Sequence, residues 1–200
     1  MTLDFKSFPQ LQTQRLTLRQ VSLEDSLEVF GLRSDPETMR YIGRPLQITL
    51  EDASQYIKEL LRMQANNEIL FWAIQLMEAP TTMIGNICLW RFQKEHYRAE
   101  VGYMLNPSFV GKGYMKEAID AVIKFAFKGL KLHSLEALIN PLNKSSASVL
   151  SRAGFELEGH LKENYYYNGK FSDTQIYSLI NKDSHSETAT MDTFIIKKQL

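Results

Sequence analysis

The segment from residue 97 to residue 130 constrains the fold most strongly, because it combines a strand pattern, a loop with two glycines and a long helix pattern. Residues 97–105 are predicted to form a strand and residues 106–113 a loop. The apolar residues that follow recur at the i, i+3, i+4, i+7 spacing of an amphipathic helix: Met115, Ala118, Ile119, Val122, Ile123, Ala126, Phe127 and Leu130. The segment therefore predicts a strand, a loop and a helix in succession, with one face of the helix packed on a core.

The start of this helix is a candidate phosphate site. Gly111-Lys112-Gly113 leaves the backbone uncluttered where the first N–H groups of a helix have no internal partner. These groups and the helix dipole together attract anions. Glycines also occur in ordinary turns, so a plain turn is the alternative interpretation. Two common phosphate loops are excluded, because a dinucleotide fingerprint requires glycine at the position of Lys116 and a Walker loop requires Ser or Thr at the position of Gly113.

The composition favours one folded domain and excludes two classes of partner. The chain has 200 residues, of which 44% are hydrophobic, so we expect a single domain over residues 1–182 and a tail over residues 183–200. Basic and acidic residues number 23 each, which indicates neither a nucleic acid nor a membrane as a partner. A small molecule or a peptide is the expected substrate class.

Cysteine, histidine and hydropathy patterns exclude further classes. The single cysteine, Cys88, excludes an intrachain disulfide framework, and the 4 histidines lack the spacing of metal ligands, so no metal is expected. No apolar run reaches transmembrane length, and the N-terminal residues lack the apolar core of a signal peptide. We therefore expect a cytoplasmic protein.

The remaining elements predict a mixed α/β fold of the α+β type. Capping sequences at residues 22–25 and 49–52 precede two predicted helices, and another helix is predicted at residues 143–152. Alternating apolar residues predict further strands: 16–21, 69–77, 83–92, 134–139, 155–167 and 174–181. Short turns at residues 78–81 and 93–95 favour three consecutive antiparallel strands, at residues 69–77, 83–92 and 97–105. The segment at residues 34–48 is either a substrate-facing loop or a surface connection.

Several short motifs occur in order along the chain: Thr13-Gln14-Arg15-Leu16-Thr17-Leu18-Arg19, Gly85-Asn86-Ile87, Glu100-Val101-Gly102-Tyr103, Val110-Gly111-Lys112-Gly113-Tyr114-Met115-Lys116-Glu117-Ala118, Asn143 with Ser146, and Gly154-Phe155-Glu156-Leu157-Glu158-Gly159. These motifs resemble the GNAT acetyltransferase superfamily, and within it the RimJ/RimL-like group of ribosomal-protein N-terminal acetyltransferases. The resemblance covers about residues 10–182. It implies a mixed, mainly antiparallel central sheet of about seven strands with helices on both faces.

The resemblance also implies acetyl-CoA as cosubstrate and assigns three parts of its site. The pyrophosphate is expected in the loop formed by Val110, Gly111, Lys112, Gly113, Tyr114 and Met115. The pantetheine arm is expected along the end of the fourth predicted strand, at Tyr103, Met104 and Leu105. The third part of the implied site consists of Asn143 and Ser146, which are expected to bind the cofactor. The superfamily usually has Gln or Arg at the position of Val110 and Gly or Ala at that of Met115, so phosphate binding is expected to depend on backbone N–H groups.

Three residues are candidates for the chemistry of acetyl transfer. Glu100 could accept the amine proton through water, or could instead pair with Arg91 or Arg98. Ser146, implied by the resemblance, could protonate the leaving sulfur, or could only cap a helix. The resemblance implies a tyrosine as general acid, and Tyr166 is the candidate from the run at residues 165–167, although packing in the core or at the rim is the favoured explanation for any one of these tyrosines.

The tyrosine run departs from the RimL pattern. The glutamate expected in the penultimate strand of RimL-type enzymes falls on Tyr165 here. Strand alternation predicts that at least one of the three tyrosines faces the core and one the substrate cleft.

The expected activity is transfer of an acetyl group from acetyl-CoA to an amine, most simply the N-terminal α-amine of a protein. At pH 7 roughly a tenth of an α-amine is neutral, against well under a thousandth of a lysine side chain, so a weak base suffices. A small-molecule amine, such as a polyamine, an amino acid or an antibiotic, is the alternative acceptor. A non-catalytic CoA-binding module is the third interpretation. The expected state is a monomer or a homodimer.

Overall fold

Eight strands form one open sheet in the computed structural model, which describes residues 3–5 and 7–182. The strands are β1 (Leu11–Gln12), β2 (Leu16–Gln20), β3 (Ile69–Leu76), β4 (Ala79–Gln93), β5 (Arg98–Leu105), β6 (Ser134–Ile139), β7 (Glu156–Tyr167) and β8 (Lys170–Ile180). Their spatial order is β1-β2-β3-β4-β5-β6-β8-β7, and every neighbouring pair is antiparallel except β5 and β6. About seven strands were predicted. The additional one is β1, whose two residues are too few to show a period.

Helices cover both faces of this sheet, as predicted. The helices are α1 (Ser26–Ser34), α2 (Pro36–Met39), α3 (Leu50–Ala65), α4 (Tyr114–Lys124) and α5 (Lys144–Arg152). β3 is buried along its length and serves two cores: Leu70 and Trp72 pack with α4, whereas Phe71 and Ala73 pack with α1 and α3. We call these two sides of the sheet the α4 face and the α1/α3 face.

The helix predicted after the glycine loop is present, but it does not stay α-helical to its end. α4 ends at Lys124 and continues as a π-helical turn over Phe125–Gly129, closed by a 3.1 Å hydrogen bond from the Leu130 N–H to the Phe125 carbonyl. Glycine suits this turn, because a Cβ on Gly129 would lie 3.0 Å from the Phe125 ring. The predicted apolar face is confirmed, since Ala118 and Ile119 are fully buried against the sheet.

Local signals identified most of the other elements to within a few residues. The predicted capping sequence at residues 49–52 starts α3: the Thr49 N–H donates to the Asp52 carboxylate at 2.8 Å, and the Asp52 N–H donates to the Thr49 hydroxyl at 3.2 Å. The segment at residues 34–48 contains α2, which was not predicted, and buries Met39. The tail predicted for residues 183–200 lies outside the described residues. Within the described part, none of the helices has the length and apolar character needed to cross a bilayer.

Candidate active site

β5 and β6 separate to form a fork. They pair in parallel over only three residues, from Arg98 opposite Ser134 to Glu100 opposite Glu136. β5 then continues to Leu105 along β4, while β6 follows β8. The edge of β5 at residues 101–105 therefore faces a gap, and its backbone groups can pair with an extended, amide-containing chain. Tyr103, Met104 and Leu105, the predicted pantetheine clamp, all lie on this edge.

The Gly-Lys-Gly loop lies directly before α4. Gly111 and Gly113 adopt left-handed backbone angles, with φ of 82° and 83°, and Gly113 is the N-cap of the 11-residue helix. An added Cβ on Gly111 would contact nothing within 4 Å, so the backbone here is open. Unpaired N–H groups at a helix start and a dipole pointing toward them form an anion site. The geometry therefore fits the predicted pyrophosphate cradle.

A brace that the sequence did not reveal holds this loop in place. The Glu117 carboxylate, in the first turn of α4, accepts hydrogen bonds from the Thr13 hydroxyl at 2.6 Å and from the Arg15 backbone N–H at 2.8 Å. The Arg15 guanidinium pairs with the same carboxylate at 2.7 Å and donates to the Lys112 carbonyl at 3.1 Å. Burial alone would raise the pKa of Glu117, but these hydrogen bonds outweigh it and hold the pKa below its usual value. Arg15 and Glu117 therefore connect the loop to the turn before β2.

We expect Glu117→Gln to loosen the loop. The substitution removes the ion pair, and because Arg15 is 43% exposed the loss of unfolding free energy should be only about 1 kcal/mol at pH 7. A carboxyl whose folded pKa is lowered stabilises the protein above its unfolded pKa, so the difference between variant and wild type should shrink as the pH falls below about 4 and vanish below the lowered folded pKa. Urea unfolding of variant and wild type at pH 7 and at a pH below about 4 measures this difference in the free energy of unfolding.

Glu59→Gln is the matched control, because Glu59 forms an exposed pair with Arg62 on α3, away from the loop. It should leave the dissociation constant of acetyl-CoA unchanged, whereas Glu117→Gln should raise it. Equal acetyl-CoA affinities for the two variants would contradict a role for the brace in the loop.

The start of α5 faces the fork from the α4 side. Asn143 is the N-cap of α5, and its side chain accepts a 3.1 Å hydrogen bond from the Ser146 N–H. The Tyr103 hydroxyl donates to the Ser146 carbonyl at 3.3 Å, which links β5 to α5 across the gap. Burial raises the pKa of Tyr103 to about 12, so the phenol stays protonated and remains a donor. The structure thus brings together three of the predicted site residues, Tyr103, Asn143 and Ser146.

Ser146→Ala separates the two roles considered for this serine. If its hydroxyl protonates the departing thiolate, the turnover rate should fall at least tenfold with little change in the dissociation constant of acetyl-CoA, because the contact exists mainly in the transition state. Asn143, not Ser146, supplies the helix cap, so the melting temperature should hardly change. An unchanged rate at saturating substrates would contradict the proton-donor role.

Glu100 lies at the branch point of the fork, and its side chain points to the α1/α3 face. It is only 6% exposed and forms a 3.0 Å ion pair with Arg91, while Arg98 pairs instead with Glu136. Burial raises the pKa of Glu100, the adjacent Glu136 adds to this effect, and Arg91 opposes it. Both sequence interpretations are therefore visible: Glu100 has an arginine partner, and it has the raised pKa that a general base needs.

The three tyrosines do not follow the predicted alternation. None of Tyr165, Tyr166 and Tyr167 faces the core, since all are at least 39% exposed. The reason is that β6 pairs with β8 only from Gln175 onward, so the tip of the β7–β8 hairpin extends beyond the sheet. Tyr166 packs against Phe171 on this hairpin, with ring centroids 4.8 Å apart. Tyr165 instead donates a 2.7 Å hydrogen bond to the Gly43 carbonyl, which joins the hairpin to the loop after α2.

Cys88 is not a nucleophile in this arrangement. Burial raises the pKa of its thiol to about 12, so the thiolate needed for attack is scarce at neutral pH. Its side chain packs into the α1/α3 core.

Comparison with known proteins decides the family. Residues 15–156, from the turn before β2 to the first residue of β7, match the family described as "Acetyltransferase (GNAT) domain". The chain belongs to the GNAT acetyltransferase family. YoaA of Bacillus subtilis (strain 168), named as an uncharacterized N-acetyltransferase, is 31% identical over 173 residues, which cover 86% of this chain and 97% of YoaA.

Two further comparisons agree with this assignment. YdaF of the same organism is named, by inference, as a ribosomal N-acetyltransferase. It is 31% identical to this GNAT protein over 106 residues, which cover 53% of this chain and 58% of YdaF. The crystal structure of a GNAT-family acetyltransferase from Bacillus anthracis has a TM-score of 0.77 at 26% identity and covers 86% of this chain and 98% of its own. The protein is thus an acetyl-CoA-dependent acetyltransferase, and the third interpretation, a non-catalytic module, is set aside. The roles of individual residues stay predictions.

Proposed function

We propose that this GNAT enzyme acetylates the N-terminal α-amine of a protein, of the kind that ribosomal proteins present. The observation that carries the proposal is Glu100, a buried carboxylate at the branch point of the fork whose ionised form Arg91 still stabilises. Such a group is a base of moderate strength. It suits an amine with a pKa near 8, of which roughly a tenth is already neutral at pH 7, and it suits a lysine side chain far less.

In the proposed reaction, Glu100 and Ser146 act from opposite sides of the fork. Acetyl-CoA supplies an activated acetyl group, with its pyrophosphate on the backbone N–H groups of Gly111 to Met115 and its pantetheine arm along residues 103–105. The acceptor approaches from the α1/α3 face, where Glu100 takes one amine proton through water. The amine nitrogen then bonds to the acetyl carbon, the carbon–sulfur bond breaks, and the nitrogen gives up a second proton as the amide forms, which replaces the proton that Ser146 donates. Ser146, on the opposite side of the fork, donates a proton to the departing sulfur.

A small-molecule amine is the second candidate acceptor, because relatives with that activity are also similar to this chain. The spermidine N(1)-acetyltransferase of Vibrio cholerae is 23% identical over 169 residues. YdaF, with its ribosomal name, favours the first candidate at higher identity over a shorter span.

A thiol-release assay with acetyl-CoA separates these acceptors. One panel consists of lysine-free peptides with a free N-terminus, and a second consists of the same peptides with a blocked N-terminus and one added lysine. A third panel contains spermidine, spermine, amino acids and aminoglycosides. We expect a saturable rate with the first panel only. A saturable rate confined to the third panel would contradict the proposal.

A further inference from the structure

Two arginines lie near Tyr56 on the α1/α3 face. The Arg33 guanidinium, in the last turn of α1, lies 4.1 Å from the centre of the Tyr56 ring on α3. Burial raises the pKa of Tyr56, and the positive charges of Arg33 and Arg44 both act to lower it. Among the described residues, neither arginine forms an ion pair with a carboxylate. The Tyr56 side chain therefore lies beside a positive charge.

Nearby carboxylates are engaged elsewhere. Asp35 accepts hydrogen bonds from Thr38 as the cap of α2, and Glu37 pairs with Arg40 at 3.5 Å. Asp52 caps α3 through Thr49. None of these contacts neutralises the charge beside Tyr56.

Arg33 also carries a donor with no protein partner. Among the described residues its Nε is buried and makes no hydrogen bond, and the same is true of the side-chain oxygen of Gln47. The backbone of these two residues is joined, since the Gln47 N–H donates to the Arg33 carbonyl at 3.0 Å. A buried, unpaired guanidinium N–H costs free energy unless water or another acceptor pairs with it. Arginine is also the side chain best suited to bind carboxylates and phosphates.

This cluster lies on the side from which the acceptor approaches. Tyr56 packs in the same apolar cluster as Cys88, and Glu100 lies on β5, the strand that pairs with the strand of Cys88. Tyr56, Cys88 and Glu100 all belong to the α1/α3 face. Arg44 follows Gly43, whose carbonyl accepts from Tyr165 of the β7–β8 hairpin. Arg33 therefore packs on the face that Glu100 shares, and Arg44 is adjacent in sequence to the hairpin contact.

We infer that Arg33 and Arg44 form an acceptor subsite for an oxyanion, and that the preferred acceptor is a peptide with Asp or Glu within its first few residues. The inference rests on the proposed acetylation of α-amines and names the substrate class within it. Polyamines are disfavoured, since several positive charges would have to approach the two arginines. A phosphorylated serine offers the same oxyanion chemistry and is distinguished in the experiment.

The experiment compares kcat/KM for peptides that share an N-terminal serine and one length. Positions two to four carry aspartate or glutamate, the corresponding amides, phosphoserine, or lysine. We expect aspartate or glutamate peptides to exceed lysine peptides about tenfold or more, with a smaller ratio at high salt because screening weakens charge contacts. A phosphoserine peptide that alone shows the preference would overturn the carboxylate assignment.

Charge variants test whether these arginines cause the preference. Arg44→Gln removes an exposed charge and leaves the Arg33–Tyr56 contact in place, and Arg33→Glu reverses the inner charge. We expect the first to reduce the ratio of acidic to basic peptides and the second to invert it, at an unchanged KM for acetyl-CoA. Arg62→Glu, a 58% exposed position at the end of α3, makes the same charge reversal elsewhere and should preserve the ratio.

The outcomes separate this inference from the proposed function. If no peptide is acetylated, the proposed function fails. If peptides are acetylated with an acid-to-lysine ratio near one, or with lysine preferred, the proposed function stands and the oxyanion subsite is wrong. Arg33→Glu could unfold the protein, so its melting temperature is measured, and Arg44→Gln alone then decides: an unchanged ratio in that variant overturns the inference.

Discussion

Glu100→Gln is expected to lower the turnover rate at pH 7 by about 100-fold or more while acetyl-CoA binds normally. Glutamine keeps the size of the side chain and one oxygen for Arg91 but cannot take a proton. The loss should shrink as the pH rises, because the acceptor amine is then already neutral without help from a base. Initial rates between pH 6 and pH 10, at saturating acetyl-CoA, measure this dependence.

The stability of the same variant tells the two roles of Glu100 apart. Because the folded pKa of Glu100 is raised, the folded protein favours the protonated carboxyl. Ionisation of Glu100 therefore costs folding stability above its unfolded pKa, and that cost fades as the pH falls. A neutral glutamine removes the cost, and the variant should melt no lower than wild type at pH 7. If Glu100 serves only as the partner of Arg91, the variant should melt lower and show the same rate ratio at every pH. A full rate at pH 7 would reject Glu100 as the base.

Glu136→Gln is the matched control for Glu100→Gln. Glu136 is the neighbouring carboxylate in register on β6 and is also held by an arginine, Arg98. Its charge helps to raise the pKa of Glu100, so its removal should shift the acidic limb of the pH–rate profile to lower pH. The rate at pH 7 should change by less than about tenfold, since the base itself remains. A loss as large as that of Glu100→Gln would mean that neither carboxylate can be singled out.

Gly113→Asp is expected to abolish acetyl-CoA binding. In wild type, acetyl-CoA at 100 times its dissociation constant should add about 2.7 kcal/mol to the free energy of unfolding, visible as a thermal shift. Gly113 has a φ of 83°, so a Cβ strains the backbone at the helix start. The added carboxylate would also repel the pyrophosphate where helix N–H groups should bind it. Millimolar acetyl-CoA should therefore produce no thermal shift in this variant.

Gly169→Asp controls for backbone strain alone. Gly169 has a φ of 79°, in the turn between β7 and β8, and an added Cβ there would contact nothing within 4 Å. This variant should lose some stability but keep the full thermal shift with acetyl-CoA. If the Gly113→Asp variant keeps its shift, the pyrophosphate does not bind at the Gly-Lys-Gly loop.

Elements with strong local signals were predictable. The apolar period of α4 identified its buried face, and the predicted strand at residues 134–139 coincides with β6. Thr49 and Asp52 carry a recognisable capping pattern, and the structure shows both of its hydrogen bonds. In each case the information lies in residues that are close together in the sequence.

The features that shape the site depend on contacts between distant residues. Arg15 and Glu117 are 102 residues apart, and nothing in the spacing of either predicts their pairing. Tyr165 and Gly43 are separated by 122 residues. The alternation rule failed for the tyrosine run. The rule assumes a strand with a core on one face, whereas the tip of the β7–β8 hairpin extends past the sheet. The fork was available only through resemblance, since its position depends on where β5 and β6 stop pairing.

Acetyl transfer to an N-terminal α-amine is tested most directly by the stoichiometry of one reaction. Wild-type protein is incubated with acetyl-CoA and a lysine-free peptide, free thiol is measured, and fragmentation mass spectrometry locates the acetyl group. We expect one thiol released for each acetylated peptide, with the acetyl group on the N-terminal nitrogen. Thiol release that is independent of the peptide, or saturable acetylation of polyamines with none of the peptide, would contradict it.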